Sequence, residues 1–296
     1  MKDFSFWEEY DGVSAGSGRG EKVWLLNPDT NQIGLFKFKK DKGTTDHVSE
    51  CIAYEIAELV GIPCAKFELG IYKNREGSMS YNIADEKDVS LIEGIYCITA
   101  IYASYDPNEM MDMETGKRYS LEMIQDALES FGLFEEFLKI PVFDFLIGNS
   151  DRHQSNWALL QKNEEICLCP LYDNGSSLCS YVSNEKVEQY LGKDKLLWHS
   201  LIDTKSRSII RIHSDDKKKP THLEVIKYLH TYYYLQTKDI AYSIIEKVTQ
   251  DNIQEILEHY TEELGSLKQE LLEKYIMSKI DLLKDIYQNE ENKPCQ

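Results

Sequence analysis

Asp151 and Asn156 stand five positions apart in the polar run 149–156, and Asp173 follows two residues before Gly175. Carboxylate and amide oxygens suit Mg²⁺, which favours hard oxygen donors beside phosphate. On this reading Asp151 is the base or orienter for an acceptor hydroxyl, and Asn156 and Asp173 hold the metal. The chemistry that such a set supports is phosphoryl transfer. An Asx-rich turn with capping roles is the bland alternative.

Two elements must place these side chains. The apolar spacing of 134–147 predicts a helix that runs directly into the polar run. Strands at 157–160 and 166–171 around the turn 162–165 then form a hairpin, which returns the chain so that Asp173 can stand near Asn156. Five strongly polar side chains, Asn149, Asp151, Arg152, His153 and Asn156, between a helix and a strand imply a loop at the edge of a core.

The N-terminal third offers complementary parts. Residues 10–26 hold Gly12, Gly16, Gly18 and Gly20, followed by an apolar strand at 23–26. Glycines let backbone N–H groups approach phosphate closely. No Walker A or Rossmann fingerprint is present, because GK[ST] is missing and a strand follows the loop. Strand, glycine loop, strand is the protein-kinase order instead. Residues 34–40, GLFKFKK, alternate so that Leu35, Lys37 and Lys39 share one face and Phe36 and Phe38 the other. Lys37 is a candidate for the strand lysine that reaches the nucleotide phosphates, or a solvent-facing lysine. A helix is predicted over 46–60, capped by Ser49 or Asp46 and ended by Gly61-Ile62-Pro63. Glu50, Glu55 and Glu58 lie on it, and position alone does not choose between Glu50 and Glu55 as a partner for Lys37. Strands at 66–72 and 78–83, joined by a turn at 74–77, complete a sheet of about five strands. The acidic stretch 83–88 is the expected hinge.

From about residue 89 the pattern is mostly helical: 121–131, 134–147, pieces within 194–234, and amphipathic helices over 238–287 without sustained heptads. The triplet Lys217-Lys218-Lys219 interrupts the third of these. It reads as a solvated loop, with attraction of an acidic substrate as the sharper alternative.

At 296 residues the chain can bury a sizeable core, and 42% hydrophobic and 28% charged residues are ordinary for a globular protein. The formal net charge of -18 disfavours direct nucleic-acid binding, while leaving room for a triphosphate neutralised locally by Lys and Mg²⁺. No run of about eighteen apolar residues or secretory leader is visible, so a cytoplasmic protein without a membrane span is expected, with non-classical secretion still open. The seven cysteines sit mostly in apolar segments and read as buried free thiols. Cys167-x-Cys169 lacks zinc-site spacing.

The glycine loop GSGRGEK, LFKF with Lys37, SECIAYEIAELVGIP with Glu50, LIGNSDRHQSNW and PLYDNGSSL together resemble the HipA-like serine/threonine kinases, particularly the short stand-alone members of CtkA type. The resemblance covers about residues 12–178, and its last two motifs are the specific ones. It implies an α+β, two-lobed protein-kinase-like fold, with a β-rich lobe over 1–86 and a mainly helical lobe over 87–296. It also implies an ATP- and Mg²⁺-dependent kinase acting on Ser or Thr of a protein. Within it, Gly16, Ser17, Gly18 and Gly20 contribute to the nucleotide loop, Lys37 meets the ATP phosphates, and Glu50 rather than Glu55 is its partner. Asp151 is the base, Asn156 and Asp173 hold Mg²⁺, and His153 contacts phosphate. Autophosphorylation on Ser14 or Ser17 and an antitoxin-like partner belong to the same expectation. A lipid or small-molecule kinase with this site and a pseudokinase-type nucleotide-binding module are the alternative readings.

Overall fold

The computed structural model describes residues 1–11, 20–40, 43–84 and 88–288. Gly12, Ser14, Gly16, Ser17 and Gly18, and the lobe boundary at 86–87, lie outside the described residues. The N-terminal part is a six-stranded sheet. Its strands are β1 (Lys2–Asp3), β2 (Glu8–Glu9), β3 (Lys22–Leu26), β4 (Ile33–Phe38), β5 (Phe67–Tyr72) and β6 (Arg75–Tyr81), in the order β1-β5-β6-β4-β3-β2. The sheet has six strands rather than about five: four come from residues 22–81, and the first nine residues add two short edges. The turn between β5 and β6 is also shorter than expected. Lys73 and Asn74 alone make it, both with positive φ, and 75–77 belong to the strand.

Alternation along β4 sorts its faces. Phe36 is fully buried among Phe4, Trp7, Leu25, Tyr72 and Met79, with Phe38 packed beside it. Lys37 points to the opposite side, toward helix α1 (Asp46–Val60). Gly77 lies across from Phe38, and a Cβ there would sit 2.3 Å from the Lys37 carbonyl, so only glycine lets β6 approach β4.

Helix α1 has the predicted bounds but not the predicted cap. Thr45 is the N-cap and makes no side-chain cap bond, whereas Asp46 and Ser49 are buried within the helix. The Asp46 carboxylate instead accepts from Thr44 and pairs with Lys40. Gly61 ends the helix in the left-handed region at φ 80°.

The remaining elements are β7 (Val89–Glu93), α2 (Gly94–Ile101), β8 (Tyr105–Asp106), β9 (Met111–Asp112), α3 (Leu121–Leu128), α4 (Phe134–Phe137), α5 (Lys139–Ile147), β10 (Ala158–Lys162), β11 (Glu165–Leu168), α6 (Asn184–Leu191), α7 (Lys195–His199), α8 (His222–Tyr232), α9 (Tyr234–Lys247), α10 (Gln250–Glu258), α11 (Thr261–Leu264) and α12 (Ser266–Tyr287). The helix expected over 134–147 is interrupted at Leu138, because Pro141 has no N–H for the Phe137 carbonyl. β10 pairs with both β11 and β7, which ties the segment after the sheet to the hairpin that follows the polar loop. α1 packs on β5 and β6 and also on α9 and α10, where the Ser243 hydroxyl donates to the Val60 carbonyl at 2.9 Å. Cys51, Cys97 and Cys169 are buried free thiols as expected, but Cys167 is exposed on β11. Among the described residues no helix is long and apolar enough to cross a membrane.

Candidate active site

Lys37 joins the two parts of the molecule. Its ammonium donates to Glu50 Oε1 at 2.8 Å and to Asp173 Oδ1 at 2.9 Å. Glu50 is nearly fully buried on α1, and its other oxygen accepts the Asn174 backbone N–H at 2.7 Å. Burial opposes the charge on Lys37, but the two carboxylates outweigh it and raise its pKa. At Asp173 burial again opposes ionisation, yet the Lys37 charge and hydrogen bond hold the carboxyl far below its usual range. Glu55, left level with Glu50 by sequence position, faces elsewhere: its carboxylate accepts from the Tyr260 hydroxyl and contacts His259 Nδ1 at 3.0 Å.

The loop after α5 is built on a buried ion pair that the sequence reading missed. Gly148 turns the chain out of α5 at φ 67°, and any Cβ there would strike the Tyr275 hydroxyl. Asp144, the one carboxylate in the apolar helix KIPVFDFLI, accepts from Arg152 Nη2 at 2.8 Å and Nε at 3.1 Å. Arg152 is 1% exposed. Its Nη1 donates to the carbonyls of Asn156 at 2.9 Å and Tyr172 at 2.8 Å, and Nη2 donates to Asn174 Oδ1 at 2.6 Å. One guanidinium nitrogen therefore bonds both strands of approach, which sets Asn156 beside Tyr172-Asp173. All five donated bonds have partners, as a buried arginine requires.

Further contacts fix the same loop. The Tyr119 hydroxyl donates to the Arg152 carbonyl at 3.0 Å and accepts from Trp157 Nε1 at 2.9 Å. His222 Nε2 donates to the Asn149 carbonyl at 2.8 Å, and burial drives the His222 pKa down to about 3, so the ring is neutral. Asn149 Oδ1 accepts the Asp151 N–H at 3.1 Å. The signals for Asp144 and Arg152 were present as an isolated carboxylate on an apolar helix and a charge eight residues on. Tyr119 and His222 come from distant segments and had none.

Asp151 is half-buried, and among the described residues no side chain claims its carboxylate. Burial raises its pKa and the nearby Asp173 charge adds to this, while His153 opposes. Asn156 Nδ2 donates to the Asp151 carbonyl at 2.7 Å, which leaves the amide oxygen as the group available to a ligand. His153 Nδ1 accepts the Ser155 N–H at 3.2 Å, so the ring lies within the loop. Asp173 has φ 56°, an uncommon left-handed conformation for an aspartate, held by Lys37 and the Arg152 network. Gly175 passes close under α1, where a Cβ would meet the Asp46 carbonyl at 3.3 Å and Glu50 Oε1 at 3.4 Å. Lys22, also missed, pairs across β3 and β4 with Lys37 and so shares its face. Burial and the Lys37 charge lower its pKa. Gly20 lies two residues before β3, and a Cβ there would meet Lys40 Cε at 3.5 Å, an ordinary contact.

Residues 14–262 match the family described as the HipA-like C-terminal domain. The chain belongs to this family. As a HipA-like domain it can be set beside one curated relative and two solved structures. The serine/threonine-protein kinase CtkA of Helicobacter pylori is 28% identical over 196 residues, which are 60% of this chain and 55% of that protein. The match thus spans about half of that relative's length. The crystal structure of the Helicobacter pylori proinflammatory kinase CtkA aligns over 96% of both chains with TM-score 0.80 and 21% identity. A chain of the Shewanella oneidensis toxin–antitoxin complex of HipA, HipB and operator DNA aligns over 95% of this chain and 66% of its own, with TM-score 0.55 and 12% identity. These structural likenesses establish the fold: a HipA-like, kinase-type arrangement with a curled sheet in the N-terminal part and helices in the C-terminal part.

Proposed function

We propose that this HipA-like domain is a kinase that transfers the γ-phosphoryl group of ATP to a serine or threonine hydroxyl of a protein. The observation that carries the reading is Lys37 held between Glu50 and Asp173. A cation so fixed, on a strand after a glycine-rich segment, suits the phosphates of ATP. Asp151 is assigned the acceptor hydroxyl, as base or orienter. Its carboxylate has no protein hydrogen-bond partner among the described residues, and its raised pKa strengthens it as a proton acceptor. Arg152 and Asp144 act as positioning residues that keep Asp151, Asn156 and Asp173 in register.

The donor set fits a hard divalent cation: the Asp173 carboxylate is held ionised and the Asn156 amide oxygen has no competing protein partner among the described residues. Mg²⁺ bound by these two would neutralise charge on the transferring phosphate. His153 is assigned to phosphate contact, and Gly16, Ser17, Gly18 and Gly20 to the nucleotide loop, with Ser14 or Ser17 as an autophosphorylation position. The lobes are assigned to 1–86 and 87–296. A protein acceptor is supported by the likeness to CtkA, and the site of action is assigned to the cytoplasm. The comparison with the HipA–HipB complex makes an antitoxin-like partner part of the proposal for this chain. The test is incubation with labelled ATP and Mg²⁺ beside separate protein and lipid acceptors. Label on protein hydroxyls supports the reading. Label on lipid alone would assign the site to a lipid kinase, and bound ATP without turnover to a pseudokinase.

A further inference from the structure

Arg207, Arg211 and Lys217 to Lys219 lie in a segment of an acidic chain that is anchored beside the loop bearing Asp151. Residues 207–221 are tied down at both ends. Arg207 Nη1 donates to the Lys219 carbonyl at 2.7 Å, and the Ser208 N–H to the Pro220 carbonyl at 3.1 Å. At the other end the Arg211 N–H donates to the Tyr119 carbonyl at 3.2 Å, and the Arg118 N–H to the Ser214 carbonyl at 2.9 Å. Tyr119 and His222 are the same residues that hold the Arg152 and Asn149 carbonyls, so this segment and the loop bearing Asp151 are one anchored unit.

Two features of the segment lack an internal explanation. Lys217, Lys218 and Lys219 are exposed, and none of them forms an ion pair among the described residues, yet Lys219 is near enough to act on the charge of Asp151. Arg211 has Nε and Nη1 fully buried without a hydrogen-bond partner, beside Arg118 and Tyr105. Leaving such donors unpaired is costly, and two neighbouring guanidinium groups compound the cost. Tyr105 in turn donates to Gln154 Oε1 at 3.1 Å, three residues beyond Asp151 in the same loop. The nearby acids are partly engaged: Glu122 takes His213 and the Ser214 N–H, and Asp216 takes the His213 N–H. The nucleotide phosphates are assigned to Lys37 on the sheet, so this second cluster is left for the acceptor.

We propose that Arg118, Arg211 and the 217–219 triplet form the acceptor-recognition surface, and that it takes a protein segment whose serine or threonine is flanked by anionic side chains, one of which pairs with Arg211. The proposal rests on the kinase reading above. It gives the basic triplet a role in place of a solvated loop.

The test uses the full chain with Mg²⁺, labelled ATP and four acceptor peptides, in which one serine is flanked by glutamates, phosphoserines, glutamines or lysines. The expected result is a kcat/KM about tenfold higher for the glutamate or phosphoserine peptide than for the glutamine one, the advantage shrinking as salt rises. A better phosphoserine peptide would identify the Arg211 ligand as phosphate, and equal use of the two would identify any anion. Replacing Lys217, Lys218 and Lys219 by Gln, or Arg211→Gln, should bring the glutamate-to-glutamine ratio toward one. Equal use of glutamate, glutamine and lysine peptides overturns the inference while leaving the kinase reading intact. A ratio unchanged in both variants does the same. Absence of phosphate on any peptide and on the chain itself overturns both.

Discussion

Replacing Asp144 by Asn tests the scaffold most sharply, because it changes one atom and no volume. Asp144 and Arg152 side chains are 4% and 1% exposed, so the change leaves a guanidinium buried without its counter-ion. Breaking a buried pair by removing one partner costs about 3–5 kcal/mol. Asn retains one oxygen for Nη2 or Nε but turns an NH₂ toward the other donor, and Arg152 keeps its bonds to Asn156, Tyr172 and Asn174. The expected loss is therefore near the lower end, about 3 kcal/mol, which at roughly 2–4 °C per kcal/mol lowers Tm by about 6–12 °C. Phosphate transfer should fall further than stability explains. Arg152 sets both Asn156 and Tyr172, and misplacement by about 1 Å can cost on the order of 100-fold. Thermal unfolding and labelled transfer at a temperature where the variant is fully folded give the two readouts. A Tm within about 2 °C of wild type, together with normal transfer, would refute the claim that this pair positions the loop.

Three further outcomes are expected. Glu50→Gln should reduce transfer by about 10-fold or more, since it removes the charge that holds Lys37, whereas Glu55→Gln, on the Tyr260 side of α1, should change it less than about twofold; steady-state rates decide between them. Because burial raises the Asp151 pKa and Asp151 must be ionised to accept a proton, kcat/KM should fall as pH drops through a value above the ordinary aspartate range. A pH–rate profile with no acid limb above that range would count against Asp151 as the base. His222 has its pKa lowered to about 3, so the unfolded chain binds a proton that the folded one refuses between its ordinary value and about 3. Its contribution is complete above pH 6.5 and is lost as pH falls toward 3, so urea midpoints should drop across that window and drop less in His222→Gln.

Local pattern carried much of the site. Alternation alone puts Lys37 and Phe36 on opposite faces of β4. The bounds of α1 followed from its apolar stripe and Gly61. The order of elements, sheet first and helices after, was equally legible. What escaped depends on contacts distant in sequence. Glu50 and Glu55 are one helical turn and a fraction apart, so position alone leaves them level; the family resemblance selects Glu50, and the packing of α1 between the sheet and α10 sets Glu50 against Lys37 and Glu55 against Tyr260. Asp144 sits in a helix that otherwise reads as core, and its partner is placed by the loop conformation. The short turn at Lys73-Asn74 was missed because two non-glycine residues adopt positive φ there. Pro141 was visible, and its effect on the Phe137 carbonyl should have split the 134–147 helix.

The central claim is that Lys37, Glu50 and Asp173, together with Asp151, form one phosphoryl-transfer site. Intact-mass and peptide mass spectrometry after incubation with ATP and Mg²⁺ measures this directly, with wild type and Asp151→Asn run side by side. Wild type should gain phosphate on a serine or threonine hydroxyl, on itself or on an added protein, and Asp151→Asn, folded to the same Tm, should gain none. Equal phosphate on the two proteins would remove Asp151 from the mechanism, and no phosphate on wild type with any acceptor would contradict the account.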